Sequence, residues 1–148
     1  MARILVVEDS SAFRAFIRAA LEDAPGLFAA SPDDTLGEVE VVEAASGFDA
    51  LRLLPRGHYD LVITDINMPD INGLELLRFM RDSERHRKVA TIIISTQSSE
   101  KDRARGLALG ADAFLAKPFT VEALQRAITT ILQARNSLPP AETSEGSR

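Results

Sequence analysis

Five short apolar runs, each followed by a stretch of helical character, predict an α/β fold: a doubly wound, five-stranded parallel sheet with helices on both faces. Two observations carry this expectation. Runs such as "RILVV", "DLVIT" and "ATIIIS" are continuous rather than alternating, which is how strands covered on both faces read. Between the runs, apolar residues recur at helical spacing, and parallel neighbours need crossovers that are right-handed and pack on the sheet. The bulk numbers agree. A chain of 148 residues, 45% hydrophobic and 26% charged, suits one domain with a sizeable core.

The first strand is "RILVV" at 3–7, and the helix after it places Phe13, Phe16, Ile17, Ala20 and Leu21 on one face, with Ser10 or Ser11 as its N-cap. "VEVVEA" at 39–44 gives the second strand and "FDALRLL" at 48–54 a short helix. "DLVIT" at 60–64 is the third strand, and a helix over 74–82 begins near Asn72-Gly73. The β-branched run "ATIIIS" at 90–95 makes the fourth strand. A polar helix over 100–109 stops at Gly110. Gly106 inside it lowers its intrinsic stability, as suits a surface that rearranges. "AFLA" at 113–116 is the fifth strand, and Thr120 caps a last helix striped by Val121, Leu124, Ile128, Ile131 and Leu132. The domain is expected over 1–135. Two segments fall outside the pattern: a long connection, "DAPGLFAASPDDTLGE" at 23–38, and a polar tail, "NSLPPAETSEGSR" at 136–148, that reads as disordered. Within the connection, Leu27 and Phe28 are apolar enough to touch a partner.

Composition excludes several classes. A formal net charge of -5 argues against nucleic acid as a partner, which needs an excess of Lys and Arg. Cysteine is absent, so disulfides, thiolate metal sites and thiol catalysis are out, and a cytoplasmic location fits. No apolar run approaches the roughly 18 residues of a membrane span. The N-terminal "MARILVVEDSS" turns acidic too soon for a signal peptide.

In open parallel sheets, ligands bind beyond the carboxyl ends of the strands. Chemistry-bearing residues gather at that edge: Glu8-Asp9 after strand one, Asp65 after strand three, Ser95-Thr96 closing strand four, and Lys117-Pro118 after strand five. Any one of them alone has an ordinary reading as a turn, cap or solvated residue. Their coincidence at one end of successive strands calls for another. Three adjacent carboxylates repel, and a hard divalent cation such as Mg²⁺ resolves the conflict with oxygen ligands. Lys117 adds a compact positive charge, and Ser95 a hydroxyl donor. A carboxylate in such company can attack phosphorus.

The motifs "ILVVEDS", "LVITDINMPDINGLELL", "TIIIST" and "GADAFLAKPF" resemble, in order and spacing, those of the receiver domain of bacterial two-component response regulators. "DINMPDINGLELL" is especially similar to the chemotaxis-type, single-domain receivers. The resemblance runs from about residue 3 to 133. It implies a flavodoxin-like strand order, 2-1-3-4-5. It implies that Asp65 accepts a phosphoryl group from a sensor histidine kinase or a phosphotransfer protein, and that Mg²⁺ is held by Glu8, Asp9, Asp65 and the backbone carbonyl of Asn67. Ser95 and Phe114 take the positions of the family's switch pair, and Lys117 that of its phosphoryl-binding lysine, with a cis bond to Pro118. Asn67 and Gln97 match positions that tune autodephosphorylation. Met68-Pro69 and Gly73 shape the loop, Gly73 by tolerating unusual dihedrals. The resemblance further implies a signalling phosphoacceptor rather than an enzyme, with a downstream effector protein met at the face formed by the fourth helix, fifth strand and fifth helix. The 23–38 connection is longer than the family usually has.

Two rivals are weaker. A phosphatase of the haloacid-dehalogenase type also uses Asp, Mg²⁺ and Lys, but carries D-x-D on its first strand, where this chain has Glu8-Asp9. A receiver-shaped scaffold that is never phosphorylated has no support, because every reactive position is occupied.

Overall fold

The computed structural model describes residues 2–23, 39–96 and 100–136, with only the backbone of Asn136. The elements alternate as β1 (Ala2–Val7), α1 (Ser11–Glu22), β2 (Val39–Ala44), α2 (Gly47–Leu53), β3 (Leu61–Asp65), α3 (Gly73–Asp82), β4 (Ala90–Ser95), α4 (Glu100–Ala108), β5 (Ala113–Ala116) and α5 (Val121–Asn136). The five strands form one sheet in the order β2-β1-β3-β4-β5, and every neighbouring pair is parallel. The expected doubly wound sheet and its order are thus what the chain adopts.

The alternation of side chains along each strand divides the core in two. Ile4 and Val6 of β1, Ile63 of β3 and Ile92 and Ile94 of β4 meet Ile17, Ala20 and Leu21 of α1 and Leu124, Ile128 and Ile131 of α5. Leu5, Val7 and Val62 point the other way, against Ala50 of α2 and Leu76 and Met80 of α3. Every residue of β3 and β4 is buried, which explains why those two runs carry no polar alternation. Burying one such Ile or Leu contributes about 1.5–3 kcal/mol.

Local signals set the helix starts. Ser10, rather than Ser11, caps α1: its side chain accepts the Phe13 N–H at 3.2 Å. Asn72 and Glu75 form a reciprocal capping box on α3, at 2.9 and 3.0 Å. Thr120 Oγ1 accepts the Ala123 N–H at 3.0 Å. Gly110 ends α4 with φ 99, a conformation that favours glycine. The second helix starts at Gly47, one residue before the expected start, and its last turn tightens into a 3₁₀ turn over Leu54–Arg56, where Pro55 has no N–H to give. The third strand runs one residue further than expected and includes Asp65.

Gly73 corrects its expected role. Its backbone is not in the left-handed region. A Cβ there would lie 2.4 Å from the Asp65 carbonyl oxygen, so the position needs glycine for close approach. Gly106 does more than weaken a helix: it is buried, and a Cβ would touch Leu74, Phe114 and Ile93 at 3.6 to 3.9 Å. Residues 24–38, with Leu27 and Phe28 among them, Gln97, and the tail beyond Asn136 lie outside the described residues, so the expectations placed on them are not addressed by the fold.

Candidate functional site

β1 and β3 are neighbours in the middle of the sheet, so the acids at their carboxyl ends meet. Glu8 follows β1 and is fixed by its N–H, which donates to the Ala44 carbonyl at 3.0 Å. Asp65 closes β3, and its next residue, Ile66, donates to Ile94 of β4 at 2.9 Å. One carboxylate oxygen from each of Glu8, Asp9 and Asp65 lies within 4.8 Å of the others. Glu8 and Asp65 are buried, while Asp9 is exposed. Lys117, after β5, reaches into this group: its ammonium donates to Glu8 Oε1 and, at 3.2 Å, to Asp65 Oδ2. The Lys117-Pro118 bond is cis, as the resemblance implied.

The electrostatics follow from the crowding. Burial pushes the Glu8 carboxyl above the usual carboxylate range, against the Lys117 bond and the Ser10 N–H; contacts with Asp9 and Asp65 add to the rise. For Lys117, burial acts to lower the ammonium, but the Glu8 bond and the Asp65 charge outweigh it and hold the group above its ordinary value. Three carboxylates facing one ammonium leave the cluster with two formal negative charges in excess. Its donors are all oxygens. That charge and donor set fit a hard divalent cation of the magnesium kind.

The remaining expected residues surround the cluster. Asn67 donates its N–H to Asp65 Oδ1 at 3.2 Å and its side-chain amide to Ser95 Oγ at 3.4 Å. Ser95 is fully buried at the end of β4, and its carbonyl accepts the Lys117 N–H at 2.7 Å. Phe114 lies one layer away, buried with Leu74, Leu77, Ile93 and Ala111 beneath α4, with the Arg103 guanidinium 5.9 Å from its ring. Its relation to the site runs through β5, which leads on to Lys117. His86 is buried at the opposite edge of the sheet, bonded to the Leu54 carbonyl.

Three supporting residues escaped the sequence reading. Arg14 donates to the Glu8 carbonyl at 2.6 Å and to Glu43 at 2.9 Å, fastening the first acidic loop to α1 and β2. Asp70 accepts the N–H groups of Phe48 at 2.8 Å and Gly47 at 3.1 Å, which tie the loop after Asp65 to the start of α2. Those backbone bonds, first the one from Phe48, hold its carboxyl down at about 2. Phe13 presents its ring face to the Lys117 ammonium, 4.4 Å from the ring centroid. Arg14 and Phe13 sit at helical positions with no motif to single them out; an aspartate just past Met-Pro was the one readable hint for Asp70.

Comparison with known proteins gives this arrangement its family. The family model for the response regulator receiver domain matches residues 4–129. Chemotaxis protein CheY of Pseudomonas aeruginosa is 30% identical over 90% of this chain and 98% of its own. Among solved structures, the chemotaxis response regulator CheY4 of Vibrio cholerae is 28% identical with a TM-score of 0.70, covering 90% of this chain and 98% of that one. The receiver domain of a Pseudomonas aeruginosa sensor histidine kinase, solved with a magnesium ion coordinated in its active-site cleft, is 30% identical with a TM-score of 0.70, over 87% of this chain and 95% of that one. The acidic cluster at the carboxyl edge of this sheet therefore belongs to a receiver domain of two-component signalling, and the chain is a member of the response regulator receiver family, similar to its chemotaxis-type members.

Proposed function

We propose that Asp65 accepts a phosphoryl group from a phosphohistidine on a sensor kinase or phosphotransfer protein, and that the acyl phosphate switches a protein-interaction surface. The observation that carries this reading is the Lys117 ammonium bridging Glu8 and Asp65 within a cluster of three carboxylates. An Asp65 carboxylate oxygen attacks phosphorus as the phosphorus–nitrogen bond breaks, and the departing imidazole keeps that electron pair and takes up a proton. Lys117 offsets charge on the phosphoryl oxygens, and the Ser95 hydroxyl donates to one of them. Glu8, Asp9, Asp65 and the Asn67 carbonyl would hold Mg²⁺, which supplies further charge neutralisation. The chain thus promotes its own phosphorylation and dephosphorylation and turns over no separate substrate.

Output runs through Ser95 and Phe114 to α4, β5 and α5, where an effector protein docks. Phe114, packed under Gly106, is placed to register any shift of α4. Swinging such a switch from one part in a hundred to the reverse requires about 5.5 kcal/mol of differential stabilisation. Location in the cytoplasm follows from the need for a kinase charged there.

Intact-mass measurement after treatment with acetyl phosphate tests the assignment. One phosphate adduct is expected, dependent on Mg²⁺ and abolished in Asp65→Ala. An adduct that survives the substitution overturns it.

A further inference from the structure

The Lys117 ammonium has a third neighbour that is not a carboxylate. The Phe13 ring lies with its centroid 4.4 Å from Nζ, a distance at which the negative face of an aromatic ring attracts a cation. That ring is itself braced. Phe16 stacks on it at 5.5 Å, and Phe119 meets it edge-on at 5.4 Å with an interplanar angle of 83°. Phe16 and Phe119 also touch, at 5.9 Å, so the three rings close into a triangle. The Phe13 backbone is pinned by its N–H, which donates to the Ser10 cap. The Lys117 side chain is only 12% exposed, so little water competes for the ammonium and the ring contact is felt at low dielectric.

Both carboxylate partners of Lys117 belong to the set that would hold a cation, and Asp65 is also the proposed phosphoacceptor. Their bonds to the ammonium must loosen or rearrange as the site is used. The ring contact is indifferent to those changes, because it depends on no lone pair that a cation or a phosphoryl group would take.

We propose that Phe13 is a positioning residue for Lys117: its ring, braced by Phe16 and Phe119, keeps the ammonium aimed at the site while the carboxylates change partners. This deepens the reading of Asp65 as phosphoacceptor and rests on it. The competing reading is that Phe13 only fills space between α1 and the loop after β5. A leucine would then serve as well as a phenylalanine once the fold is intact.

The test is a cycle on the full chain with acetyl phosphate and Mg²⁺, which needs no kinase docking. Initial rates of adduct formation are measured for wild type, Phe13→Leu and Phe13→Tyr, each with Lys117 and with Lys117→Gln. Phe13→Leu should slow the reaction roughly threefold to tenfold when Lys117 is present, the range a partly desolvated cation–π contact implies. Phe13→Tyr should stay within about twofold of wild type, since its ring attracts cations similarly. In the Lys117→Gln background, Phe13→Leu should have no further effect. Equal slowing in both backgrounds, or a tyrosine variant as slow as the leucine variant, overturns the proposal. Should Phe13→Leu fail to fold, pentafluorophenylalanine at the same position keeps the shape and removes the ring's attraction for cations; an unchanged rate is then the overturning result. A second readout is independent of phosphorylation. The Lys117 ε-methylene protons should show an upfield ring-current shift in the NMR spectrum that disappears in Phe13→Leu. Its absence in the wild type rejects the contact, whereas a wild type that forms no adduct but shows the shift rejects the phosphoacceptor reading instead.

Discussion

The two edges of the sheet treat their polar groups in opposite ways. At the amino edge, charges are paired and most polar groups are matched: Arg81 donates to the carbonyls of Val89 and Gly110 at 3.0 and 2.7 Å, Asp112 accepts from the Thr91 N–H and lies 3.4 Å from Arg135, and Asp60 accepts the Arg3 N–H at 2.8 Å, while Arg3 Nε makes no hydrogen bond and faces Glu40 at 3.6 Å. His86 bonds the Leu54 carbonyl and the Ser83 hydroxyl. At the carboxyl edge, three carboxylates crowd together and one lysine bonds two of them. Matched groups rigidify a fold, while an excess of like charge stores a demand for a counter-ion. The first edge holds the scaffold still; the second is where a ligand has something to gain.

The largest perturbation should come from Gly73→Ala, which would drive a methyl group into the Asp65 carbonyl. We expect a loss of about 2–3 kcal/mol by overpacking, with the phosphate adduct lost as Asp65 shifts; chemical denaturation and intact mass read the two effects. An unchanged denaturation midpoint would contradict the close approach. At the other edge, Arg81→Met removes the donor of the Gly110 carbonyl and one of the two donors of the Val89 carbonyl, which keeps the Thr91 hydroxyl, and should cost about 2 kcal/mol while leaving adduct formation at its wild-type rate. A fall in that rate would mean the two edges are not independent.

Mg²⁺ should separate the edges more finely. At ten times its dissociation constant, a cation that binds only the folded chain adds about 1.4 kcal/mol, read as a rise of about 5 °C in the unfolding midpoint. Asp9→Asn should shrink the rise and Arg81→Met should not. A midpoint that ignores Mg²⁺ would remove the cation from the site.

The smallest effect is one of pH. Burial lowers the His86 imidazole below its ordinary value of 6.5, and the nearby Arg85 and His58 push the same way against the Leu54 bond. The unfolded chain therefore binds a proton that the folded chain refuses. The stabilisation is complete above the unfolded value and is lost as pH falls below it towards the folded one. Urea midpoints of wild type and His86→Gln should converge as the pH drops through that window; parallel curves would show that His86 does not titrate differently on folding.

Much of this was legible in the chain itself. The central strands β1, β3 and β4 announced themselves as apolar runs because they are buried on both faces, and parallel topology then forced Glu8, Asp65, Ser95 and Lys117 to one edge whatever the details of packing. The helix start near Asn72-Gly73 and the cap at Thr120 were equally local. What escaped notice depends on contacts between distant segments. The need for glycine at 73 comes from a carbonyl eight residues upstream and a turn that brings the chain back upon it. Asp70 serves the start of α2, 22 and 23 positions away. Phe13 reads as one of several apolar residues on an amphipathic helix until Lys117 is placed above it. The 3₁₀ turn after α2 was missed because Pro55 ends a helix without revealing how the last turn tightens.

The bond from Lys117 to Glu8 spans 109 positions of sequence, and that span carries a consequence for how competence is acquired. Closing a loop so long costs entropy that only the docked β-strands between the two residues can offset. A nascent chain that has emerged as far as β3 already carries Glu8, Asp9 and Asp65, yet lacks the lysine that completes the cluster. On the proposed reading of Asp65, the site is therefore assembled only once β5 has docked on the sheet and carried Lys117 to the two acids.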